Sequence, residues 1–223
     1  MKQTFLVREH HPCLLIFFAG WGMDEQPFLK YKPKDCDFML CYDYRDLLFD
    51  YSALRSYNSI RLIAWSMGVW AASQVMDGKH DLPFIDESIA VNGTNYPVDD
   101  CRGIPSAIFR LTLEGLTGAN LQKFLRRICG STSALKDFLA HTPQRPLEEL
   151  REELRTVGDL AKELPPSSFV WDRAIIGSGD AIFMPANQLK AFDSGTSVEQ
   201  INCPHYSDAL FTKLIEQGES IHE

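Results

Sequence analysis

The sequence contains no long apolar run. No stretch of its 223 residues approaches the roughly 20 consecutive apolar residues that a membrane-spanning helix needs. The first residues, Met1 to Glu9, lack the apolar middle of a secretion signal and are more typical of a first β-strand. We therefore expect a cytoplasmic protein that does not associate with a membrane.

Positive charge and closely spaced cysteines are also scarce. The chain has 22 lysines and arginines against 30 aspartates and glutamates, a formal net charge of −8. General binding to nucleic acid is therefore not expected, because it requires many cations to neutralise phosphates. No two cysteines form a C-x-x-C pair, which favours free, mostly buried thiols in a reducing compartment over disulfides or a zinc site. The six cysteines are Cys13, Cys36, Cys41, Cys101, Cys129 and Cys203.

Short apolar runs alternate with helical patterns along most of the chain. A run of about four to eight apolar residues is typical of a strand buried on both faces of a parallel sheet. The alternation predicts an α/β fold with helices on both faces of a mostly parallel sheet, in a single domain over residues 1–223. The predicted strands are residues 13–18, 37–42, 59–65, 87–92, 169–176 and 197–201, and helices are predicted at 69–77 and 207–217.

Residues 105–166 interrupt this alternation. They show no strand pattern and three helical ones, the clearest of which has apolar residues at i, i+3, i+4 and i+7 from Leu121 to Ile128. The other two helical patterns lie in residues 135–139 and 147–164. We expect the whole segment to be a helical lid inserted in the core fold. The alternative is a set of helices that pack on the sheet without covering a site.

The segment Ala64-Trp65-Ser66-Met67-Gly68 lies between a predicted strand and a predicted helix. A sharp strand-to-helix turn with a serine at its corner is the nucleophile elbow of α/β-hydrolases. The strained serine needs small residues two positions before and after it, and Ala64 and Gly68 meet that need. We therefore predict an α/β-hydrolase-like fold with Ser66 as its nucleophile.

A serine nucleophile needs a base that removes its proton and an acid that holds the base. In α/β-hydrolases the acid and then the histidine follow the serine along the chain. Asp180 ends a glycine-rich turn after a predicted strand, and His205 follows the last strand, so they are the predicted acid and base. Asp99 and Asp100, in the loop after an earlier strand, are the alternative acids. The other histidines lie elsewhere in the chain order and are His10, His11, His80, His141 and His222.

Two backbone N–H groups are needed to stabilise the oxyanion that forms when a serine attacks an ester. The N–H of Met67, at the start of the helix that follows the serine, is predicted to be the first. The loop Gly20-Trp21-Gly22 follows the first long apolar run, and its glycines allow a close approach to substrate. The backbone N–H of Trp21 is therefore the predicted second donor.

Several short segments carry a further signal when they are taken together. They are residues 17–24, 64–68, 92–94 with Pro97, 103–105, 179–180, 187–188 and 204–206. This set resembles the BioG-type pimeloyl-acyl-carrier-protein methyl ester esterases of bacterial biotin synthesis. The resemblance covers nearly the whole chain and is weakest through the helical insertion. The segments around Trp21 and Ser66 are also similar to those of BioH-type esterases.

The resemblance implies hydrolysis of the methyl ester of pimeloyl-acyl-carrier protein to pimeloyl-acyl-carrier protein and methanol, with no metal or organic cofactor. It matches Ser66 to the nucleophile, His205 to the base, Trp21 to the oxyanion loop and Asp180 to the usual position of the acid. Such an acyl chain requires an apolar slot. The residues expected to line it are Trp21, Trp65, Trp70, Leu121, Phe124 and Phe138.

The helical insertion carries local positive charge although the chain as a whole is acidic. Between Arg110 and Lys136 there are five basic residues and the single acid Glu114. Three bases of the first helical pattern lie off its apolar stripe, and we expect them to dock the acidic carrier protein. The alternative is an ordinary solvated helix face. The three are Lys123, Arg126 and Arg127.

Two other functions fit the same sequence. Another acyl esterase or thioesterase would share the fold and the catalytic residues, because these determine the class of reaction and not the acyl group. The second is a non-catalytic binding module with a hydrolase-like fold.

Overall fold

A computed structural model describes residues 1–79 and 83–217. Its seven strands form one sheet in the spatial order β1-β3-β2-β4-β5-β6-β7, in which β1 is antiparallel to β3 and the other neighbours are parallel. The prediction of a mostly parallel α/β sheet is therefore confirmed. The strands are β1 Lys2–Val7, β2 Cys13–Phe18, β3 Cys36–Tyr42, β4 Ser59–Trp65, β5 Phe84–Val91, β6 Arg173–Gly177 and β7 Ser197–Ile201.

Seven α-helices accompany the sheet in the described residues. The last of them continues as a π-helical turn, Lys213–Gln217, and two short 3₁₀ segments lie at Gln26–Phe28 and Tyr51–Leu54. No helix within these residues is both long and apolar enough to cross a membrane. The helices are α1 Met67–Met76, α2 Ser106–Glu114, α3 Gly118–Cys129, α4 Thr132–Leu139, α5 Leu147–Glu163, α6 Pro185–Ala191 and α7 Asp208–Thr212.

The side chains of β2 alternate between two apolar layers, one on each face of the sheet. Leu14, Ile16 and Phe18 belong to the layer that includes buried residues of α1 and α5. Leu15 and Phe17 belong to the opposite layer, which includes buried residues of α7. Strands that are covered on both faces show continuous apolar runs, and this explains the unbroken run that the sequence shows here.

The insertion between β5 and β6 contains four helices, α2 to α5, where the sequence predicted three. The additional helix is α2. Only Phe109 of its nine residues is buried, whereas Ile108 and Leu111 are 47% and 61% exposed. With apolar residues on more than one side, α2 lacks the single apolar stripe by which an amphipathic helix is recognised in a sequence.

Cys13 and Cys36 form a disulfide, so the expectation that all six cysteines are free is wrong. The two residues are paired in register at the amino ends of β2 and β3, and their Cα atoms lie 4.6 Å apart. This distance is within the range that a disulfide requires. The pairing depends on strand register, which the spacing of two cysteines along the chain does not reveal. The free cysteines among the described residues are Cys41, Cys101, Cys129 and Cys203.

Candidate active site

Ser66 occupies the sharp turn between β4 and α1. Its backbone has a φ of +61° and a ψ of −127°, an unfavourable conformation for a residue with a side chain. The turn is held by a hydrogen bond of 2.9 Å from the N–H of Ser66 to the carbonyl of Val91. A Cβ on Gly68 would lie 2.3 Å from the carbonyl oxygen of Phe18, so α1 can pack on the end of β2 only with glycine at this position.

Three side chains that are far apart in sequence meet beside this turn. The Nε2 atom of His205 lies 2.9 Å from the Oγ atom of Ser66, and its Nδ1 atom lies 2.9 Å from Oδ2 of Asp180. All three residues are buried. They come together because Ser66 follows β4, Asp180 follows β6 and His205 follows β7, and parallel strands end at one edge of the sheet.

Asp180 is held by four hydrogen bonds. Its Oδ1 atom accepts from the backbone N–H groups of Ile182 and Phe183, at 2.7 and 3.0 Å. Its Oδ2 atom accepts from His205 and, at 3.0 Å, from the side-chain amide of Gln188. These bonds orient the carboxylate toward the imidazole. The contact with Gln188 was not predicted, because nothing in the sequence shows that α6 folds back onto the turn that precedes it.

The alternative acids do not reach the histidine. Asp99 accepts hydrogen bonds from the backbone N–H groups of Cys101 and Arg102, and Asp100 accepts one from the N–H of Ser106. Both carboxylates therefore serve their own loop and the start of α2.

The other histidines are not part of this cluster either. His11 contacts Asp37, and neither His10 nor His141 forms a side-chain hydrogen bond within the described part of the chain. His80 and His222 lie outside the described residues.

The Gly20-Trp21-Gly22 loop lies directly against Ser66. A Cβ on Gly20 would approach the Cβ of Ser66 to 3.1 Å, and Gly22 has a φ of +78°. The indole N–H of Trp21 donates to the carbonyl of Leu150 in α5 at 2.9 Å, which holds the loop. In residues 1–79 and 83–217, the backbone N–H groups of Trp21 and Met67 donate to no backbone carbonyl. Both are therefore available to bind an oxygen atom.

A small apolar cavity opens at Ser66. Its volume is about 40 Å³, and it adjoins an open groove of about 360 Å³ between α2 and α3. The cavity and the groove together form a largely apolar depression beside Ser66. The cavity is lined by Trp21, Ser66, Met67, Ile104, Ile108, Phe109, Thr112, Phe124, Arg127, Leu154 and Ile182.

Of the six residues expected to line an acyl slot, two border the cavity at Ser66. Trp21 and Phe124 border both the cavity and the groove, and their rings meet edge to face with centroids 5.1 Å apart. Leu121 also lies on α3 but is not part of either wall; it packs, partly buried, against the core. The sequence pattern pointed to α3 without showing which of its apolar residues borders the cavity at Ser66.

The structure corrects the expectation for Trp65, Trp70 and Phe138. Trp70 is 2% exposed within α1 and belongs to the core. Trp65 precedes the elbow and belongs to the opposite layer of the sheet from Trp70; its indole N–H donates to the carbonyl of His205 at 2.8 Å. Phe138 packs on Tyr206 and borders a separate groove. Trp65 therefore supports the histidine, and the other two fill the protein interior.

The three bases expected to dock a carrier are exposed on α3. They differ in their relation to the cavity, because only Arg127 lines the wall near Ser66. Its guanidinium also donates to the carbonyl of Ala181, one residue after Asp180, at 2.6 Å. Lys123 lines the adjoining groove, and Arg126 lines neither.

The last part of the insertion is bound firmly to the core. Arg145, before α5, forms buried ion pairs with Glu153 at 2.7 Å and with Asp43 at 2.9 Å. The N–H of Gln144 donates to Asp24, at the end of the tryptophan loop, at 2.5 Å. Burial raises the pKa of Glu153, and the charge of Arg145 opposes this effect. These contacts fix α5 against the loop that carries Trp21.

Comparisons with known proteins give a consistent result. A protein of Bacteroides fragilis (strain 638R) named malonyl-[acyl-carrier protein] O-methyltransferase is 53% identical over 207 residues, which are 92% of this chain but 42% of that protein. The chain thus spans less than half the length of this relative. An uncharacterised protein of Haemophilus influenzae is 39% identical over 201 residues, covering 89% of this chain and 91% of that one.

Solved structures agree with these relatives. The crystal structure of BioG from Haemophilus influenzae matches with a TM-score of 0.86 at 38% identity, over 95% of this chain and 97% of that one. A hydrolase from Pseudomonas aeruginosa matches with a TM-score of 0.64 at 11% identity, over 96% and 91% of the two chains, and supports the fold alone. A family model described as pimeloyl-ACP methyl esterase BioG matches residues 1–216. The chain therefore belongs to the BioG family and has the fold of an α/β-hydrolase.

Proposed function

We propose that the protein is a serine esterase that hydrolyses the methyl ester of pimeloyl-acyl-carrier protein to pimeloyl-acyl-carrier protein and methanol. The observation that carries the proposal is the hydrogen-bonded series Asp180–His205–Ser66, which ends at an apolar cavity. Membership of the BioG family supports this particular ester.

The reaction begins with the hydroxyl of Ser66. As the Oγ atom attacks the ester carbonyl, Nε2 of His205 takes its proton, and the imidazolium that forms is stabilised by Asp180 at Nδ1. The distance of 2.9 Å between Oγ and Nε2 suits this proton transfer. The unfavourable backbone conformation of Ser66 presents its side chain beside the cavity.

The attack leaves a negative charge on the former carbonyl oxygen. The backbone N–H groups of Trp21 and Met67 stabilise it, and the start of α1 adds a favourable dipole. Collapse of the intermediate breaks the bond to the methoxy group, and the imidazolium donates its proton so that methanol leaves. Water then attacks the acyl-serine with His205 again as base, which restores Ser66 and releases the free carboxylate.

The cavity and the groove set requirements on the substrate. Their walls are largely apolar, and they extend from Ser66 to the surface between α2 and α3. An acyl chain fills this slot while its ester group lies at Ser66 and its other end leads to the carrier. We propose that α2 to α4 act as the lid of this slot and that α5 is its fixed support, because the indole of Trp21 is hydrogen-bonded to Leu150 of α5.

The name of the Bacteroides fragilis relative does not determine the activity of this chain. More than half of that protein lies outside the matched region, which is 42% of its length. A methyltransferase needs no activated serine, whereas the hydroxyl, imidazole and carboxylate seen here are the groups that hydrolysis requires. Esterase activity therefore agrees better with the geometry of this site.

The central experiment compares the protein with Ser66→Ala on pimeloyl-acyl-carrier-protein methyl ester. We expect methanol release by the wild type and a loss of at least about 10³-fold in kcat for the variant, with an unchanged Tm. A panel of acyl-CoA thioesters and p-nitrophenyl esters distinguishes other acyl hydrolases. A folded wild type that is inert toward every ester would identify a binding module.

The carrier-docking proposal rests on the exposed bases Lys123 and Arg126 of α3, with Arg127 at the cavity. Replacing both Lys123 and Arg126 by glutamate should raise KM for the carrier-linked ester at least about fivefold. The two bases attract the acidic carrier, and the glutamates would repel it. Arg127 is left unchanged because it lines the cavity at Ser66, which Lys123 and Arg126 do not reach. Hydrolysis of a small ester should stay within twofold of the wild type.

The matched control is Lys162→Glu, a charge reversal on α5 at a side chain that is 77% exposed. It should leave KM for the carrier-linked ester unchanged. An equal rise of KM in the control, or an equal loss on the small ester in the double variant, would show that α3 is not the docking face.

A further inference from the structure

Asn92 directly follows β5 and is buried with a strained backbone conformation. It is 1% exposed, and its φ of +46° lies in the left-handed region. Asparagine tolerates this conformation better than most residues, but it still carries a cost. A buried polar residue in a strained backbone calls for an explanation, and its hydrogen bonds supply one.

The side chain of Asn92 connects the loop of the acid to the loop of the base. Its Oδ1 atom accepts from the N–H of Gly177 at 2.6 Å, three residues before Asp180. Its Nδ2 atom donates to the carbonyls of Pro204 at 3.0 Å and His205 at 2.9 Å. One amide group therefore binds both loops, and it needs its donor and its acceptor at the same time.

The same turn also touches the nucleophile elbow. The carbonyl of Val91 accepts from the N–H of Ser66 at 2.9 Å. A Cβ on Gly93 would lie 2.2 Å from the carbonyl oxygen of Ser66, so only glycine allows this approach. Residues 91–93 thus contact the loops of the serine, the acid and the base. This turn is the place where the mutual spacing of these loops is set.

We propose that Asn92 is a positioning residue that holds the imidazole of His205 between Ser66 and Asp180. The inference rests on the proposed function, since it concerns the same reacting groups. The two bonds from Nδ2 fix the two peptide groups that flank the α-carbon of His205. A small displacement of a catalytic group of this kind lowers turnover without removing the substrate-binding slot.

Asn92→Asp is the deciding variant. It preserves the size of the side chain and its acceptor for Gly177, and it removes both donors to the base loop. We expect kcat to fall about 10- to 100-fold while KM stays within twofold. Labelling of Ser66 by a fluorophosphonate probe should slow by a similar factor. Labelling needs an activated serine and no natural substrate, so it tests Asn92 even if the proposed ester proves wrong.

Asn95→Asp is the matched control. Asn95 also uses both ends of its amide, donating to the carbonyl of Phe169 at 2.9 Å and accepting from the indole N–H of Trp171 at 2.8 Å. These partners lie outside the three catalytic loops. The control variant should label and turn over at the rate of the wild type after correction for the folded fraction measured by its thermal unfolding.

Two results would overturn the inference. The first is a folded Asn92→Asp protein that labels at the wild-type rate. The second is a slowing in Asn92→Asp that the Asn95→Asp control reproduces at the same folded fraction, which would reduce Asn92 to a general contribution to stability.

Discussion

Two buried aspartates, one at the amino ends of the parallel strands and one at their carboxyl ends, each contact a histidine. Only one of these two histidines also contacts a serine. Asp180 follows β6 at the carboxyl edge and meets Nδ1 of His205 at 2.9 Å. Asp37 lies at the amino end of β3 and meets Nδ1 of His11 at 3.2 Å. Both carboxylates also accept hydrogen bonds from backbone N–H groups.

The two sites differ in what lies beyond the imidazole. His205 is 1% exposed, and its Nε2 atom contacts Ser66 at the strained elbow beside the cavity. The His11 side chain is 26% exposed, and in the described residues its second nitrogen contacts no serine. An aspartate–histidine pair alone therefore does not identify an active site. The elbow and the cavity make one of these pairs a candidate active site.

Asp37 has the character of a structural group. Burial by itself would raise its pKa, but hydrogen bonds from the hydroxyl of Tyr57 and from the backbone N–H groups of Glu9 and His11, together with the His11 side chain, lower the pKa to about 2. The ionised carboxylate thus ties the segment after β1 and the one before β4 to the start of β3. No activity is expected to depend on it.

The largest expected effect is a loss of activity on disrupting the Asp180–His205 pair. Asp180→Asn should lower kcat by about 10³-fold or more, because an amide neither holds the imidazole in the required tautomer nor stabilises its protonated form. Steady-state kinetics on any ester that the wild type hydrolyses will measure the loss. If Asp180→Asn retained most of its activity while an Asp99 variant lost it, the acid would have been assigned to the wrong loop.

The corresponding substitution of Asp37, at the amino end of β3, should lower stability and leave activity unchanged. Asp37→Asn is expected to lower the free energy of unfolding by about 2 to 3 kcal/mol at pH 7, following from a pKa of about 2 in the folded chain and about 4 in the unfolded one. Because the folded pKa is the lower one, this stabilisation is complete above about pH 4 and is lost as the pH falls toward 2.

Urea unfolding from pH 7 to pH 3 checks this expectation. The difference between the wild type and Asp37→Asn should shrink below pH 4, and the kcat of the folded variant should stay within twofold of the wild type. A difference that grows on acidification would show the opposite sign of the pKa shift.

The smallest effect is expected for the second histidine. His11→Gln should change the free energy of unfolding by less than about 1 kcal/mol and leave kcat unchanged, because the pair is partly exposed and Asp37 keeps its other donors. Thermal unfolding and ester hydrolysis measure the two quantities. A loss of activity as large as that of a His205 variant would erase the distinction between the two edges.

The features that were predictable from sequence are those with a local pattern. The run from Ser59 to Trp65 coincides with β4 because its apolar residues and the elbow mark both its ends. The positions of Ser66, Asp180 and His205 follow from the same logic, since the residue after a parallel strand lies at the carboxyl edge of the sheet. Their proximity in space also depends on the spatial order of the strands, which places β4, β6 and β7 in the same half of the sheet.

The features that were not predictable depend on contacts between distant segments. The Cys13–Cys36 disulfide requires the register of β2 and β3. The role of Trp65 as a support for the histidine depends on which face of the sheet α7 covers. Asn92 was part of a recognisable motif, but its partners at Gly177 and His205 are visible only in three dimensions.

The most direct measurement is the rate and position of fluorophosphonate labelling, determined by peptide mass mapping on three folded proteins. The wild type should carry one phosphonyl group on Ser66, Asp37→Asn should label at the same rate, and Asp180→Asn should label at least about 10³-fold more slowly. An unlabelled Ser66 in the wild type, or equal slowing in both aspartate variants, would contradict the assignment of the active site to the carboxyl edge of the sheet.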